Sequence, residues 1–195
     1  MGLAAPGRYR TLLCKPLAPA AKARNYGAIR TQGRHAMAHT HAYALTLDWT
    51  GNKGHGTAGY RAYDRDYKIL IDGKVDLLGS SDPAFLGDPA RHNPEDMFLA
   101  SISACHMLWF LHLASDAGIV VTAYRDAASG EMVTHKGGAG EFTGVTLRPQ
   151  VTITDPLRAD EAHAIHDKVG DYCFIARSIK VPIAHEPEIM VAAGA

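Results

Sequence analysis

Apolar and polar residues alternate through YALTLDW, placing Tyr43, Leu45, Leu47 and Trp49 on one face of a strand and Ala44, Thr46 and Asp48 on the other. TGNKGHG then supplies a turn. Strand-like pattern resumes over TAGYRAYDRDYKILIDGKVDLL, where Asp72-Gly73 marks a hairpin turn between two runs. An antiparallel N-terminal sheet is the simplest arrangement. Residues 79–92, GSSDPAFLGDPARH, hold two Asp-Pro pairs and two glycines and predict an irregular loop. Downstream, IVVTAYRDAA, GEFTGVTLRPQVTIT and SIKVPIAH predict strands, and ADEAHAIHDKVGDYC predicts a helix ending beside Cys173. Strands, a long helix, strands, a helix and a strand in that order predict an α+β fold.

The long helix lies in NPEDMFLASISACHMLWFLHLASDAG, residues 93–118, which has no charged side chain from Met97 to Ser115. Asn93 suits the cap, Pro94 the first helical position, Glu95 and Asp96 the positive end of the dipole, and Gly118 the stop. About 24 helical residues span about 36 Å, enough to cross a membrane. Two histidines and three serines interrupt the run, acids flank both ends, and no Lys or Arg cluster sets an orientation, so we expect a core helix and no membrane. A helix apolar around most of its circumference is buried on several sides. A body of roughly 160 residues has little chain to wrap it, which predicts a homodimer.

The 195-residue chain, 47% hydrophobic and 21% charged, can bury one sizeable core. Its zero net charge hides an asymmetry. Seven of the 20 Lys and Arg lie in the first 36 residues, which hold no Asp or Glu, so the rest carries 13 basic against 20 acidic side chains. An acidic body argues against a nucleic-acid partner. Residues 1–36 predict a disordered basic extension, with two alternatives: a targeting peptide, or an upstream misreading ahead of a start at Met37. The domain then occupies residues 37–195, and His35, His39 and His41, ahead of the first strand-like run at Tyr43, are solvated side chains on flexible chain. The three cysteines, Cys14, Cys105 and Cys173, form no C-x-x-C pair and suit a reducing, cytoplasmic compartment.

Cys105 has a bland explanation, a small hydrophobe in a core helix. It lies beyond the first helical turn, where the dipole helps little, and apolar surroundings disfavour a thiolate. A nucleophile at this position needs an arginine delivered from elsewhere.

From about Trp49 to Ile189 the chain resembles the OsmC-like proteins, the osmotically inducible protein C and organic hydroperoxide resistance family. NPEDMFLASISACHM is similar to that family's N-P-E…C signature, with Glu95 ten residues ahead of Cys105, and Cys173 stands 68 residues further on, near the family's second cysteine. DYCFIARSI lacks the proline that usually follows that cysteine. The resemblance implies antiparallel strands around a long buried central helix, an intertwined homodimer, and an active site at the dimer interface. It further implies a thiol peroxidase that reduces organic hydroperoxides and extends to hydrogen peroxide. Cys105 becomes a sulfenic acid, Cys173 resolves it as a disulfide, and a dithiol, either a lipoyl group or thioredoxin, restores both thiols. No metal, haem or flavin cofactor is required.

Helical geometry separates Glu95 from Cys105 by about 15 Å of rise and roughly 80° of rotation, so the two cannot meet within one helix. A glutamate that orients a cation at the thiolate therefore comes from a second chain, and the same glutamate also suits a helix start. The family's arginine comes from the N-terminal strands, where Arg61 and Arg65 stand, with Arg91 just before the helix. Tyr63-x-Arg65 and SSDPAF resemble the longer relatives and favour Arg65; the plainer reading pairs Arg65 with Asp64 or Asp66 on an exposed strand. His106 is either a satisfied core histidine or a modulator of the adjacent thiol. His112, His163 and His166 lack the clustered spacings of zinc sites. The glycines of KGGAGEFTG read as a turn. Met107, Leu108, Trp109 and Phe110 surround the cysteine in sequence and favour apolar substrates. A protein that binds a small apolar ligand without turnover, or one that senses redox state through the disulfide, is the alternative.

Overall fold

Asn93 and Asp96 start the helix that organises the fold. The Asp96 N–H donates to Asn93 Oδ1 at 2.7 Å and the Asn93 N–H donates to Asp96 Oδ2 at 3.3 Å, a reciprocal capping box. Helix α1 runs Pro94–Asp116, and Gly118, at φ 71°, turns the chain away. The computed structural model describes residues 39–192. The basic extension with Cys14 and His35, its targeting reading and the start at Met37 lie outside these residues, and the compact body begins at Tyr43.

Strands β1 (Thr46–Trp49), β2 (Tyr67–Leu70) and β3 (Leu77–Gly79) form an antiparallel sheet in that order, with Gly73 at φ 73° in the turn between β2 and β3. Two details differ from expectation. Residues 57–66 are turns and irregular chain rather than strand, and Leu47 and Trp49 stay largely exposed, since among the described residues that face of β1 meets little beyond the Tyr63 ring, 5.7 Å from that of Trp49. The segment 79–92 is irregular but tied down: Asp82 caps a single 3-10 turn, Pro83–Phe85. Ser80 donates to Asp66 Oδ1 at 3.0 Å and accepts the Asp88 N–H at 3.0 Å, while Arg91 bridges Asp66 and Asp88 at 3.3 and 3.2 Å.

After α1 come β4 (Val121–Asp126), β5 (Ser129–Thr134), β6 (Gly140–Leu147) and β7 (Pro149–Ile153), then α2 (Ala159–Tyr172), α3 (Phe174–Ser178), β8 (Ile183–His185) and β9 (Glu188–Val191). They make two further three-stranded sheets, β4-β7-β9 and β5-β6-β8. The single strand expected over GEFTGVTLRPQVTIT breaks at Arg148, whose N–H donates to Asp126 Oδ1 at 2.7 Å, and its halves enter different sheets. The expectation of antiparallel strands holds for β1 to β3, β4-β7 and β5-β6, but β6-β8 and β7-β9 are parallel. The parallel pairs arise because the chain returns to each sheet through α2 and α3.

Apolar side chains surround α1, yet among the described residues its fully buried positions are the stripe Ile102, His106, Phe110 and Ala114, spaced four residues apart. Among the described residues, then, α1 is not buried on several sides: Leu108, on another face, is 61% exposed. By length and composition α1 could cross a bilayer; here its buried stripe packs on α2, α3 and β4. The principal core joins Phe110 and Ala114 to Val151 and Ile153 of β7 and to Ala162, Ile165 and Val169 of α2. Phe110 is wholly buried at its centre, so Phe110→Ala should destabilise the fold by about 3–5 kcal/mol in a urea or guanidinium titration. A loss below about 1 kcal/mol would place the core elsewhere.

Candidate active site

Helix α2 buries Ala162, Ile165, His166 and Val169 on one side and ends at Tyr172, after which Cys173 adopts an extended backbone at ψ 109°. Cys173 thereby becomes the N-cap of α3, its Sγ accepting the Ala176 N–H at 3.4 Å. Cys105, in the middle of α1, faces this junction. The two sulfurs lie 2.6 Å apart, and both are free thiols. Cys173 is buried and Cys105 only half-buried, so an approaching reagent meets Cys105 first. Burial raises the pKa of Cys173, its hydrogen bond to Cys105 adds to the rise, and the Ala176 N–H opposes both.

The other expected residues are not gathered here. Glu95 sits in the first turn of α1, half-buried, with Oε2 enclosed and given no hydrogen-bond donor. The Tyr67 hydroxyl is likewise enclosed and unpartnered, and its pKa is raised first by burial and then by the nearby Glu95 charge. Arg65 corrects the picture of a strand arginine paired with Asp64 or Asp66. It precedes β2, its guanidinium lies 4.4 Å from the Tyr60 ring centroid and 4.3 Å from that of Tyr63, and it donates to Tyr60 O at 2.5 Å and Tyr63 O at 2.6 Å. Asp64 pairs with Lys53 instead, and Asp66 with Arg91. Among the described residues no hydrogen bond or ion pair joins Arg65, Arg61 or Arg91 to Cys105 or Glu95.

Behind the cysteines lies a histidine group that only partly showed in the sequence. His106 Nε2 and His166 Nδ1 share a hydrogen bond of 2.9 Å, and the His106 ring also stacks 4.6 Å from that of His185 on β8. His166 in turn stacks 4.1 Å from Phe110. Burial, with His185 and His166 adding, lowers the His106 pKa to about 3; burial, with His185 and His163 adding, lowers that of His166 to about 4. Both shifts favour the neutral imidazole at physiological pH; His106 is tied to His166 through Nε2, while His166 Nε2 is enclosed without a hydrogen-bond partner. His106, His185 and Cys173 share a chamber of about 130 Å³ with Ile102, Leu147 and Ile183. His112 is exposed and meets Asp116 at 3.5 Å, and His163 is exposed. The signal for His106 was its place in the stripe of Ile102 and Phe110; His185 carried none.

A long helix bearing one cysteine against a second at the α2–α3 junction, in an α+β body, defines a class of two-thiol proteins. This chain belongs to the OsmC-like protein family, which it matches over residues 87–188. That span holds Glu95, Cys105 and Cys173 but not Arg61 or Arg65. Among curated proteins there is no match. The chain is similar to the solved structure of an OsmC-like protein of unknown function from Vibrio cholerae, with 28% identity and a TM-score of 0.69 over 76% of this chain and 100% of that one. Organic hydroperoxide resistance proteins from Elizabethkingia anophelis (16% identity, TM-score 0.55, 79% and 100% covered) and Legionella pneumophila (18%, 0.53, 78% and 100%) share the fold.

Proposed function

We propose that this chain is a thiol peroxidase reducing organic hydroperoxides, and hydrogen peroxide beside them, through Cys105 and Cys173. The observation that carries it is the 2.6 Å approach of two free thiols, one reachable and one enclosed. The Cys105 thiolate attacks the distal peroxide oxygen, the O–O bond breaks, and the departing alkoxide takes a proton to leave as the alcohol. Cys105 is then a sulfenic acid. Cys173, as thiolate, attacks that sulfur and expels hydroxide, which leaves as water once protonated; the disulfide formed is reduced by an external dithiol, a lipoyl group or thioredoxin. The reducing cytoplasm is the compartment this cycle needs.

The working unit in this reading is a homodimer. Glu95 has an enclosed oxygen without a donor, Leu47, Trp49, Leu77 and Leu78 leave the first sheet apolar and open, and Ala100, Ala104 and Leu108 are exposed along α1. A second copy covers these faces and lets Glu95 of one chain serve Cys105 of the other, with Arg65 supplying the cation that favours the thiolate. Light scattering should find twice the 20.9 kDa chain mass at micromolar concentration; a 20.9 kDa species would remove the shared site.

Intact mass after one equivalent of cumene hydroperoxide should show the loss of two hydrogens, and dihydrolipoamide or thioredoxin should sustain continuous consumption. Absence of turnover with every dithiol tried would sink the enzyme reading.

A further inference from the structure

His106, His166 and His185 gather on the inner side of the cysteine pair, and the peroxidase cycle as written uses none of them. His106 and His185 line the chamber of about 130 Å³ whose wall also includes Cys173. A water takes up about 30 Å³ in the liquid and needs two or more polar partners, so the chamber has room for one between the Cys173 thiol and these rings. His106 is a poor recipient of a proton: its Nε2 is held by His166 Nδ1 at 2.9 Å and its pKa falls to about 3. His185, half-buried on β8, is better placed. Among the described residues its ring stacks 4.6 Å from that of His106 and enters no hydrogen bond, and the Asp167 and Asp126 carboxylates oppose the lowering of its pKa by burial. The titratable groups set around it are His106 from α1, His166 and Asp167 from α2 and Asp126 from β4, while β6 places the apolar Leu147 opposite it.

Displacement at sulfur runs in line. Cys173 approaches Cys105 from the α2–α3 junction, so the sulfenic oxygen departs from the opposite face, towards solvent, and cannot take the Cys173 proton directly. Burial, with the hydrogen bond to Cys105, also raises the Cys173 pKa to about 11, so almost none of that thiol is ionised near neutrality. The Ala176 N–H, 3.4 Å from Cys173 Sγ, steadies the thiolate once formed but accepts no proton. We propose that His185 is the proton acceptor for Cys173 in the resolving step, reached through a water in the chamber they share. This rests on the peroxidase reading for the origin of the sulfenic acid. The Cys173 proton passes to His185, and the S–S bond forms as the S–O bond breaks. The electron pair leaves with the oxygen as hydroxide, which takes a proton from solvent while His185 returns one to it.

Ring closure can be started without peroxide. Dithionitrobenzoate converts the reachable Cys105 to a mixed disulfide and releases one thionitrobenzoate; attack by Cys173 releases a second, whose absorbance gives the closure rate. In wild type that rate should level off once pH has risen far enough to leave His185 neutral. His185→Gln should close about 100-fold more slowly near neutrality and gain about tenfold per pH unit, following the Cys173 thiolate alone, with the initial release unchanged. A His185→Gln closure rate equal to wild type, or a wild-type rate that itself climbs about tenfold per unit as far as about pH 9, would overturn the assignment. The wild-type profile decides alone should the variant fold poorly. Peroxide consumption by the same wild-type protein judges the other reading separately: its absence sinks the peroxidase cycle, while the closure rates still decide whether His185 takes the proton.

Discussion

Replacing Cys105 with serine should reduce hydroperoxide consumption to the rate of the dithiol alone. A few per cent of an ordinary thiol is ionised near neutrality, whereas a serine hydroxyl is not, and the hydroxyl is also a far weaker nucleophile towards peroxide oxygen. The exchange is nearly isosteric and Cys105 is only half-buried, so the melting temperature should move little; lost activity then reports chemistry rather than folding. Cys173→Ser separates the two sulfurs. Its Cys105 should still take up one oxygen from a single equivalent of peroxide, seen as a mass gain in place of the two-hydrogen loss. Turnover in Cys105→Ser at the wild-type rate refutes the nucleophile, and full cycling of Cys173→Ser refutes the resolving partner.

Acid should begin to destabilise the protein below about pH 6.5, before its carboxylates titrate. His106 and His166 have folded pKa values near 3 and 4, below the ordinary value of 6.5, so the unfolded chain takes up their protons first. Stability contributed by keeping these rings neutral is complete above pH 6.5. It falls as pH drops below that value, by about 1.4 kcal/mol per pH unit for each histidine, until the folded pKa is reached. By pH 4 the two groups together remove about 7 kcal/mol, so a protein at the low end of the typical range of about 5–15 kcal/mol reaches its transition between about pH 4 and 5. Urea titrations at stepped pH check the slope, and the double substitution His106→Leu with His166→Phe should flatten it by removing both groups together. An unchanged slope in that variant would assign the acid response to other groups.

Helix α1 was legible from local chemistry because its signals are local: Asn93 and Asp96 satisfy each other's backbone, and Gly118 takes the left-handed turn. The break at Arg148 was not, since it depends on Asp126 receiving the Arg148 N–H from 22 residues away. Arg65 read as a strand residue because alternation in GYRAYDRDYKI resembles a strand; the stacking of its guanidinium on Tyr60 and Tyr63 overrides that pattern. The cysteine pair was accessible only through family spacing, because no periodicity relates residues 68 apart. The histidine group draws on α1, α2 and β8, so only His106, in the buried stripe, left a trace in the local pattern.

A covalent bond between Cys105 and Cys173 would turn the stretch from mid-α1 to the end of α2 into a closed ring that contains β4 to β7 and most of the principal core. Chain-entropy arguments assign about 4 kcal/mol of stabilisation to a ring of that length, drawn from the freedom of the unfolded chain. By the same thermodynamic cycle, folding favours the disulfide over the dithiol by an equal amount. Heat resistance and oxidation state are thus two faces of one equilibrium, and the oxidised chain should outlast the reduced one on warming.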